Sequence, residues 1–294
     1  MDNLLHLPSP LIKLKSDFLE KKAINLWIKR EDLIHAELSG NKWRKLEFNL
    51  QEMRKRGKKG ILTFGGAYSN HIYATAAAGQ LFDFPTIGII RGEETLPLNP
   101  TISFACRAGM EVKYVDRTTY RNKEKLTEIY QTKFPDYYLL PEGGTNIFAI
   151  PGSAGTVAEI RKQLPQLPDY ICLACGTGGT LAGIVSGLKG ESSVLGFSVL
   201  KGDFHQRDIR QLLADANITD PQNWSINTDY HFGGYARRTS ELKKFIDSFK
   251  LNYGVPLEWI YTGKLVYGIF DLMEKGFFPK GSRIVIIHTG GIRE

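Results

Sequence analysis

Lys42 closes the run Ser39-Gly40-Asn41-Lys42, a small-residue turn set ahead of a helix expected over residues 43–51. A lysine presented there can form a Schiff base with an aldehyde cofactor, provided that a phosphate cradle and a ring-holding group exist elsewhere in the chain. Alone it says little. It is one of 38 Lys and Arg residues, and Arg44 and Lys45 beside it are expected to be surface charges. Its partners follow at once. The apolar run Ile61-Leu62-Thr63-Phe64 ends in Gly65-Gly66 and reads as a buried strand entering a tight turn. Ala67-Tyr68-Ser69-Asn70-His71 comes next, then an Ala-rich helix over residues 72–80. Ser69 or Asn70 would cap that helix and leave its first N–H groups open to an anion such as a substrate carboxylate. An ordinary N-cap explains the local pattern equally well. It does not explain three hydrogen-bonding side chains at a strand's carboxyl end, the edge where open α/β sheets bind ligands.

A third run begins with the strand-like Tyr170-Ile171-Cys172-Leu173-Ala174-Cys175. It continues as Gly176-Thr177-Gly178-Gly179-Thr180 and then a helix over residues 181–189. Glycines let backbone approach an anion, and successive N–H groups at a helix start cradle a phosphate. A nucleotide P-loop would end in Gly-Lys-Ser/Thr, and the dinucleotide fingerprint needs a third glycine where Leu181 stands. A small phosphorylated cofactor met by backbone dipoles remains, with a plain glycine turn as the alternative.

The elements that must hold these runs alternate. Strands are expected near residues 4–5, 27–29, 61–63, 86–90, 111–115 and 138–140, then 170–175, 194–199 and 284–288, with helices between. That order implies an α/β fold with open, mostly parallel sheets covered on both faces. Pro141-Glu142-Gly143-Gly144-Thr145-Asn146 and Pro151-Gly152 mark a break. We therefore expect a large domain over 1–38 and 148–294, a small inserted α/β domain over 39–147, and the ligand between the lobes. Trp259-Ile260 reads as a strand end, with Tyr261 an ordinary packed aromatic after it.

Bulk properties suit a cytoplasmic enzyme. The 294 residues can bury a large core, and 42% hydrophobic with 23% charged residues is ordinary globular composition. No apolar stretch reaches membrane-spanning length and Met1-Asp2-Asn3 starts no signal peptide, so no membrane partner is expected. Cys172 and Cys175 suggest redox or zinc chemistry, but their odd spacing puts them on opposite strand faces and no second pair exists, so no metal is expected. The net charge of +7 gathers in Arg54-Lys55-Arg56-Gly57-Lys58-Lys59 and around Arg237-Arg238 without any nucleic-acid-binding signature. A mildly basic field that draws anionic amino acids is sufficient.

Taken in order, Ser-Gly-Asn-Lys42, Gly-Gly-Ala-Tyr-Ser-Asn-His71, the Gly176–Thr180 loop, Tyr261-Thr-Gly-Lys264 and His288-Thr-Gly-Gly291 carry a resemblance. The chain resembles the 1-aminocyclopropane-1-carboxylate deaminase/D-cysteine desulfhydrase family of pyridoxal-phosphate enzymes, with the tryptophan-synthase-β-like fold (fold type II). The resemblance implies that Lys42 carries the cofactor and later shuttles protons. It implies that Asn70 bonds the cofactor's ring oxygen and that Gly176, Thr177, Gly178, Gly179 and Thr180 bind its phosphate. Thr289 follows the last strand and is a candidate to face the pyridine nitrogen, the alternatives being Thr262 in that role and Thr289 as a plain turn residue. Ser69 would meet the substrate carboxylate and polarise the reacting carbon, with Asn70 and His71 beside the substrate. Tyr261 would act as general acid/base or pKa modulator. A homodimer acting on a small amino acid is also implied.

One departure bears on the substrate. Cyclopropane-opening members carry a glutamate after the tyrosine, where it pairs with the protonated pyridine nitrogen; here that position is Thr262. A hydroxyl stabilises a pyridinium less than a carboxylate does, and ring opening asks more of the electron sink than expelling a thiolate. The expected activity is therefore D-cysteine desulfhydration to pyruvate, ammonia and sulfide. The alternatives are deamination of the cyclopropane amino acid to 2-oxobutanoate and ammonia, a pyridoxal-phosphate-binding protein with little turnover, and a Rossmann-type oxidoreductase. The chain is short for the family and ends at Ile292-Arg293-Glu294, so different pocket loops are expected.

Overall fold

The computed structural model describes residues 4–38, 40–200 and 204–292. Ser39 of the lysine-bearing turn and the terminal Arg293-Glu294 lie outside them. The chain forms two compact units, one of residues 1–41 and 153–294 and the other of residues 42–152.

In chain order the elements are β1 (Leu11–Leu14), α1 (Asp17–Lys22), β2 (Asn25–Arg30), α2 (Asn41–Lys55), β3 (Gly60–Gly66), α3 (Asn70–Leu81), β4 (Thr86–Arg91), α4 (Pro100–Arg107), β5 (Glu111–Val115), α5 (Arg117–Arg121), α6 (Lys123–Lys133) and β6 (Tyr137–Leu140). They continue as α7 (Ala149–Gln163), β7 (Tyr170–Cys175), α8 (Gly179–Leu188), β8 (Ser193–Ser198), α9 (Phe204–Asp215), β9 (Trp224–Asn227), α10 (Ser240–Tyr253), α11 (Thr262–Glu274) and β10 (Arg283–His288).

The first unit holds a six-stranded sheet in the order β1-β2-β10-β7-β8-β9. Only β1 runs antiparallel, pairing with β2; the other pairings are parallel. Ile284 to Ile287 of β10 are continuously apolar and buried, as a central parallel strand must be when both faces are covered. Leu265, Val266, Ile269 and Leu272 of α11 recur at helical spacing and pack with Cys172, Phe197 and Ile286 in its main core. Because β2, β10 and β7 are adjacent and parallel, their carboxyl ends deliver Glu31, Thr289 and Gly176 to one sheet edge.

The second unit holds a parallel sheet in the order β5-β4-β3-β6. Leu62, Phe64, Ile87 and Ile89 fill one face, while Ile72, Ala76, Ile90 and Ile102 fill the other. The register Thr63↔Leu140 sets the 65–71 turn beside the 141–146 segment.

Two local expectations differ from the fold. Residues 4–5 form no strand; the first one begins at Leu11, beyond Pro8 and Pro10, which cannot donate to a ladder. Pro151-Gly152 lies in the first turn of α7, where proline's missing N–H costs nothing, and the second unit ends at Gly152. Gly152 is needed there because a Cβ would stand 1.8 Å from the Arg44 carbonyl oxygen. Trp259-Ile260 is not a strand end but the approach to α11.

Candidate active site

The Gly176–Thr180 loop links the carboxyl end of β7 to α8. Gly178 sits at φ +79° and is the N-cap of α8, a cap that has no side chain to bond the first N–H groups. Side chains cap α1, α3, α4, α5, α6 and α10. The uncapped N–H groups and positive dipole end of α8 suit an anion. A Cβ on Gly178 would stand 2.7 Å from Ile209 Cγ1, so the loop tolerates no side chain.

The backbone that precedes Lys42 is bonded to this loop and to the end of β10 within the first unit. Gly40 N donates to Glu31 O at 2.8 Å, Asn41 N to Thr289 O at 3.3 Å, and Asn41 Nδ2 to Thr180 Oγ1 at 2.9 Å. Gly40 has φ +65°, and a Cβ would lie 1.9 Å from Thr289 O. Lys42 is one peptide bond further on, in the first turn of α2. Desolvation lowers its ammonium from 10.5 to about 8. Asn41 is more than part of a turn: its bonds to Thr180 and Thr289 anchor the backbone just before the lysine.

In the second unit Ser69 caps α3, its Oγ accepting from His71 N at 3.1 Å and Ile72 N at 3.3 Å. The N–H groups expected to lie open to an anion therefore end on the serine itself, and its hydroxyl proton is what remains to donate. Asn70 is the first residue of α3. The His71 ring turns inward. Thr63 Oγ1 donates to Leu140 O, so it must accept from His71 Nε2–H at 2.7 Å. That fixes the neutral tautomer, leaving Nδ1 as a buried lone pair without a partner among the described residues. Burial, then the charges of Lys42 and Lys45, hold the His71 pKa well below the usual imidazole value. The ring thus offers no N–H to a carboxylate, unlike the expectation for a substrate contact.

Arg44 and Lys45 are not surface charges; both are buried. Lys45 Nζ donates to Gly143 O and Thr145 Oγ1 at 3.1 and 3.0 Å. Asn49 joins the same network through Tyr138 and Asn146. Lysine spacing alone did not signal this, although the inward Leu46-Asn49-Leu50 stripe one turn on does.

Tyr261 lies in the first unit, in contact distance of the cradle: a Cβ on Gly176 would stand 3.2 Å from its Cε1. The half-buried Glu258 accepts through its carboxylate from Ile260, Tyr261 and Thr262 N–H at 2.6–2.7 Å, so it caps α11. Burial pushes the Glu258 carboxyl upward and these hydrogen bonds pull against it. Thr262 Oγ1 accepts from Glu258 N at 3.0 Å and lies 3.2 Å from Glu258 O and Oε1. Its hydroxyl is committed to the helix cap. Thr289 differs: its carbonyl holds Asn41, while its hydroxyl bonds none of the described residues. Of the two threonines, only Thr289 keeps a hydroxyl to offer. His288 before it donates from Nε2 to Pro256 O at 2.8 Å and accepts at Nδ1 from Gly290 N; burial, opposed by Asp32, lowers its pKa. Sequence reasoning missed Glu258, whose signal was an acid four residues before a helix-starting threonine, and Tyr235, whose ring lies 6.1 Å edge-on from Tyr261.

The first unit offers a glycine-led helix start and the Thr289 hydroxyl, and the second unit offers a lysine amine at about 8; each is a group that a small phosphorylated aldehyde requires. Comparison agrees. The family profile described as "Pyridoxal-phosphate dependent enzyme" matches residues 3–290, so the chain belongs to that family, with its tryptophan-synthase-β-like fold type II and its cofactor. Within it, the chain is 34% identical to the bifunctional D-cysteine desulfhydrase/1-aminocyclopropane-1-carboxylate deaminase of Arabidopsis thaliana, over 99% of this chain and 78% of the relative. It is 29% identical to the D-cysteine desulfhydrase of Yersinia enterocolitica, over 96% and 91% of the two chains. A crystal structure of an ACC deaminase homologue superposes with a TM-score of 0.87 at 29% identity, covering 98% of this chain and 91% of that one. Among the described residues no helix is long and apolar enough to cross a membrane, and no metal-ligating cluster occurs.

Proposed function

We propose that the protein is a lyase that removes the α-proton of D-cysteine and expels its β-thiol, giving pyruvate, ammonia and sulfide, as a homodimer in the cytoplasm. Pyridoxal phosphate, when bound, supplies the aldehyde that takes the substrate amine and the electron-poor ring that accepts charge from Cα. Lys42 Nζ, whose lowered pKa leaves a fraction of it uncharged at cellular pH, takes the Cα proton and later releases it as the sulfur departs. The Ser69 hydroxyl donates to the substrate carboxylate, and Asn70 serves the ring oxygen. The backbone of Gly176 to Thr180 holds the phosphate. The Thr289 hydroxyl faces the ring nitrogen, and Tyr261 delivers a proton to the departing sulfur.

The observation that carries the choice of substrate is Thr262. No carboxylate follows Tyr261, and the threonine that stands there is committed to Glu258. A ring nitrogen met by a neutral hydroxyl is a weaker sink than one paired with a carboxylate. Thiolate is a good leaving group and needs less of that sink than cleavage of a strained carbon ring. Opening of 1-aminocyclopropane-1-carboxylate is the second reading, favoured by the bifunctional Arabidopsis relative.

Keto-acid and sulfide release should be measured with D-cysteine, L-cysteine, D-serine and the cyclopropane amino acid. The expected result is the highest kcat/KM for D-cysteine, with sulfide and pyruvate in equal amounts. Faster turnover of the cyclopropane would establish the second reading. A cofactor spectrum without any keto acid would reduce the protein to a cofactor binder.

A further inference from the structure

Lys264, three residues beyond Tyr261, has only 1% of its surface exposed. Its Nζ donates to His231 O and to Gly234 O, each at 2.9 Å. A buried ammonium persists only where acceptors replace its water, so both carbonyls are needed by the lysine as much as the lysine by them. They belong to a segment of irregular structure between β9 and α10. Phe232, Gly233, Gly234 and Ala236 have φ of +52°, +90°, +118° and +55°. Two of these four are not glycine, and a side chain in the left-handed region brings Cβ too close to the following carbonyl oxygen, so the turn is strained there. Internal bonding is sparse: Gly234 N to His231 O, Arg237 N to Gly234 O, and Gly233 N to His231 Nδ1. The lysine adds a charge-assisted bond at both carbonyls that this turn uses. Directly after it comes Tyr235, 41% exposed, with its ring edge-on to Tyr261 at 71°.

We infer that Lys264 is a positioning residue: by clamping the carbonyls of His231 and Gly234 it sets the 231–235 turn and holds Tyr235 against Tyr261. The part of this inference that concerns turnover rests on the function proposed above. The clamp itself does not.

Lys264→Met keeps the side chain's length and removes its charge. In the cofactor-loaded protein, trypsin should then cut after the exposed Arg237 or Arg238 about tenfold faster than in wild type, because the turn loses its main restraint. The cofactor absorbance should persist. kcat/KM for D-cysteine should fall about tenfold with its alkaline limb displaced, and Tyr235→Ala added to Lys264→Met should cost little more than either change alone, since both act through Tyr261. Cleavage at the wild-type rate, or fully additive losses, would overturn the clamp. Should Lys264→Met fail to fold, hydrogen exchange on the wild type decides. Amides of Gly233, Gly234 and Arg237 exchanging at least about tenfold slower than free peptide support the clamp, and free-peptide rates refute it. If the wild type releases no keto acid from any small amino acid, the functional proposal fails, while the proteolysis and exchange results still judge Lys264.

Discussion

A lysine amine at about 8 is a different reagent from one at 10.5. At pH 7.4 roughly a fifth of such amines are neutral and nucleophilic, against about a thousandth at the ordinary value. The rate at which apoprotein takes up pyridoxal phosphate should therefore climb with pH and level off just above 8. Stopped-flow absorbance measures it, and a rise that continues to pH 10 would mean that Lys42 is not desolvated. Lys42→Ala should abolish the lysine-linked chromophore. Thr262→Glu is the sharper test. A glutamate there would place a second carboxylate against the half-buried Glu258 cap. The cost should be about 2–4 kcal/mol, as for other uncompensated buried charges. We expect a lower Tm and loss of both D-cysteine and cyclopropane turnover. An unchanged Tm with the ratio of the two specificity constants shifted toward the cyclopropane would show that the position faces the ring nitrogen after all.

At the scale of elements, the cradle loop is tested by Gly178→Val. Valine at φ +79° with Ile209 in the way should weaken cofactor binding by at least about tenfold, read by equilibrium titration of absorbance. Wild-type affinity would make this loop an ordinary turn. The same loop shows what is legible in a sequence. Strands 86–91 and 170–175 announced themselves because buried parallel strands are short, largely apolar runs between turn residues. The helix α11 did not, although Leu265, Val266, Ile269, Leu272 and Met273 keep helical spacing. Gly263 and Gly268 interrupt it, and Gly268 is there for packing: a Cβ would lie 2.6 Å from Phe197. Edge strand β9, only Trp224–Asn227 and half-exposed, carries no clear period. Candidate residues on glycine turns were visible for the same reason as the strands. Those acting through a long side chain on a distant segment (Lys45, Lys264) were not, since only the fold reveals what they touch.

At the scale of the whole molecule, two buried imidazoles link stability to pH. His71 and His288 are both held below the ordinary 6.5, chiefly by burial. Between that value and their folded values the unfolded chain binds more protons than the native one, so stability falls as pH falls. Their full contribution is present above about 6.5 and should be lost progressively below it. Thermal melts from pH 8 to 5 should show Tm falling from about pH 6.5 downward, and His71→Gln should flatten part of that limb. A flat Tm across the range would contradict the buried neutral state of both rings.

The pairing of β2 with β10 has a consequence for synthesis. Asn25 meets Arg283 in register, and Asn41 hangs from the carbonyl of Thr289. On the ribosome these partners emerge about 250 residues apart, a delay of tens of seconds or less at ordinary elongation rates. Through that interval β1 and β2 have no parallel neighbour, whereas all four strands of the 42–152 unit are already available to one another. The inserted unit is thus free to fold first, and the backbone that carries Lys42 is anchored last. A nascent chain stalled before β10 would therefore hold the four partnered strands of the insert and a lysine whose backbone still lacks its anchor.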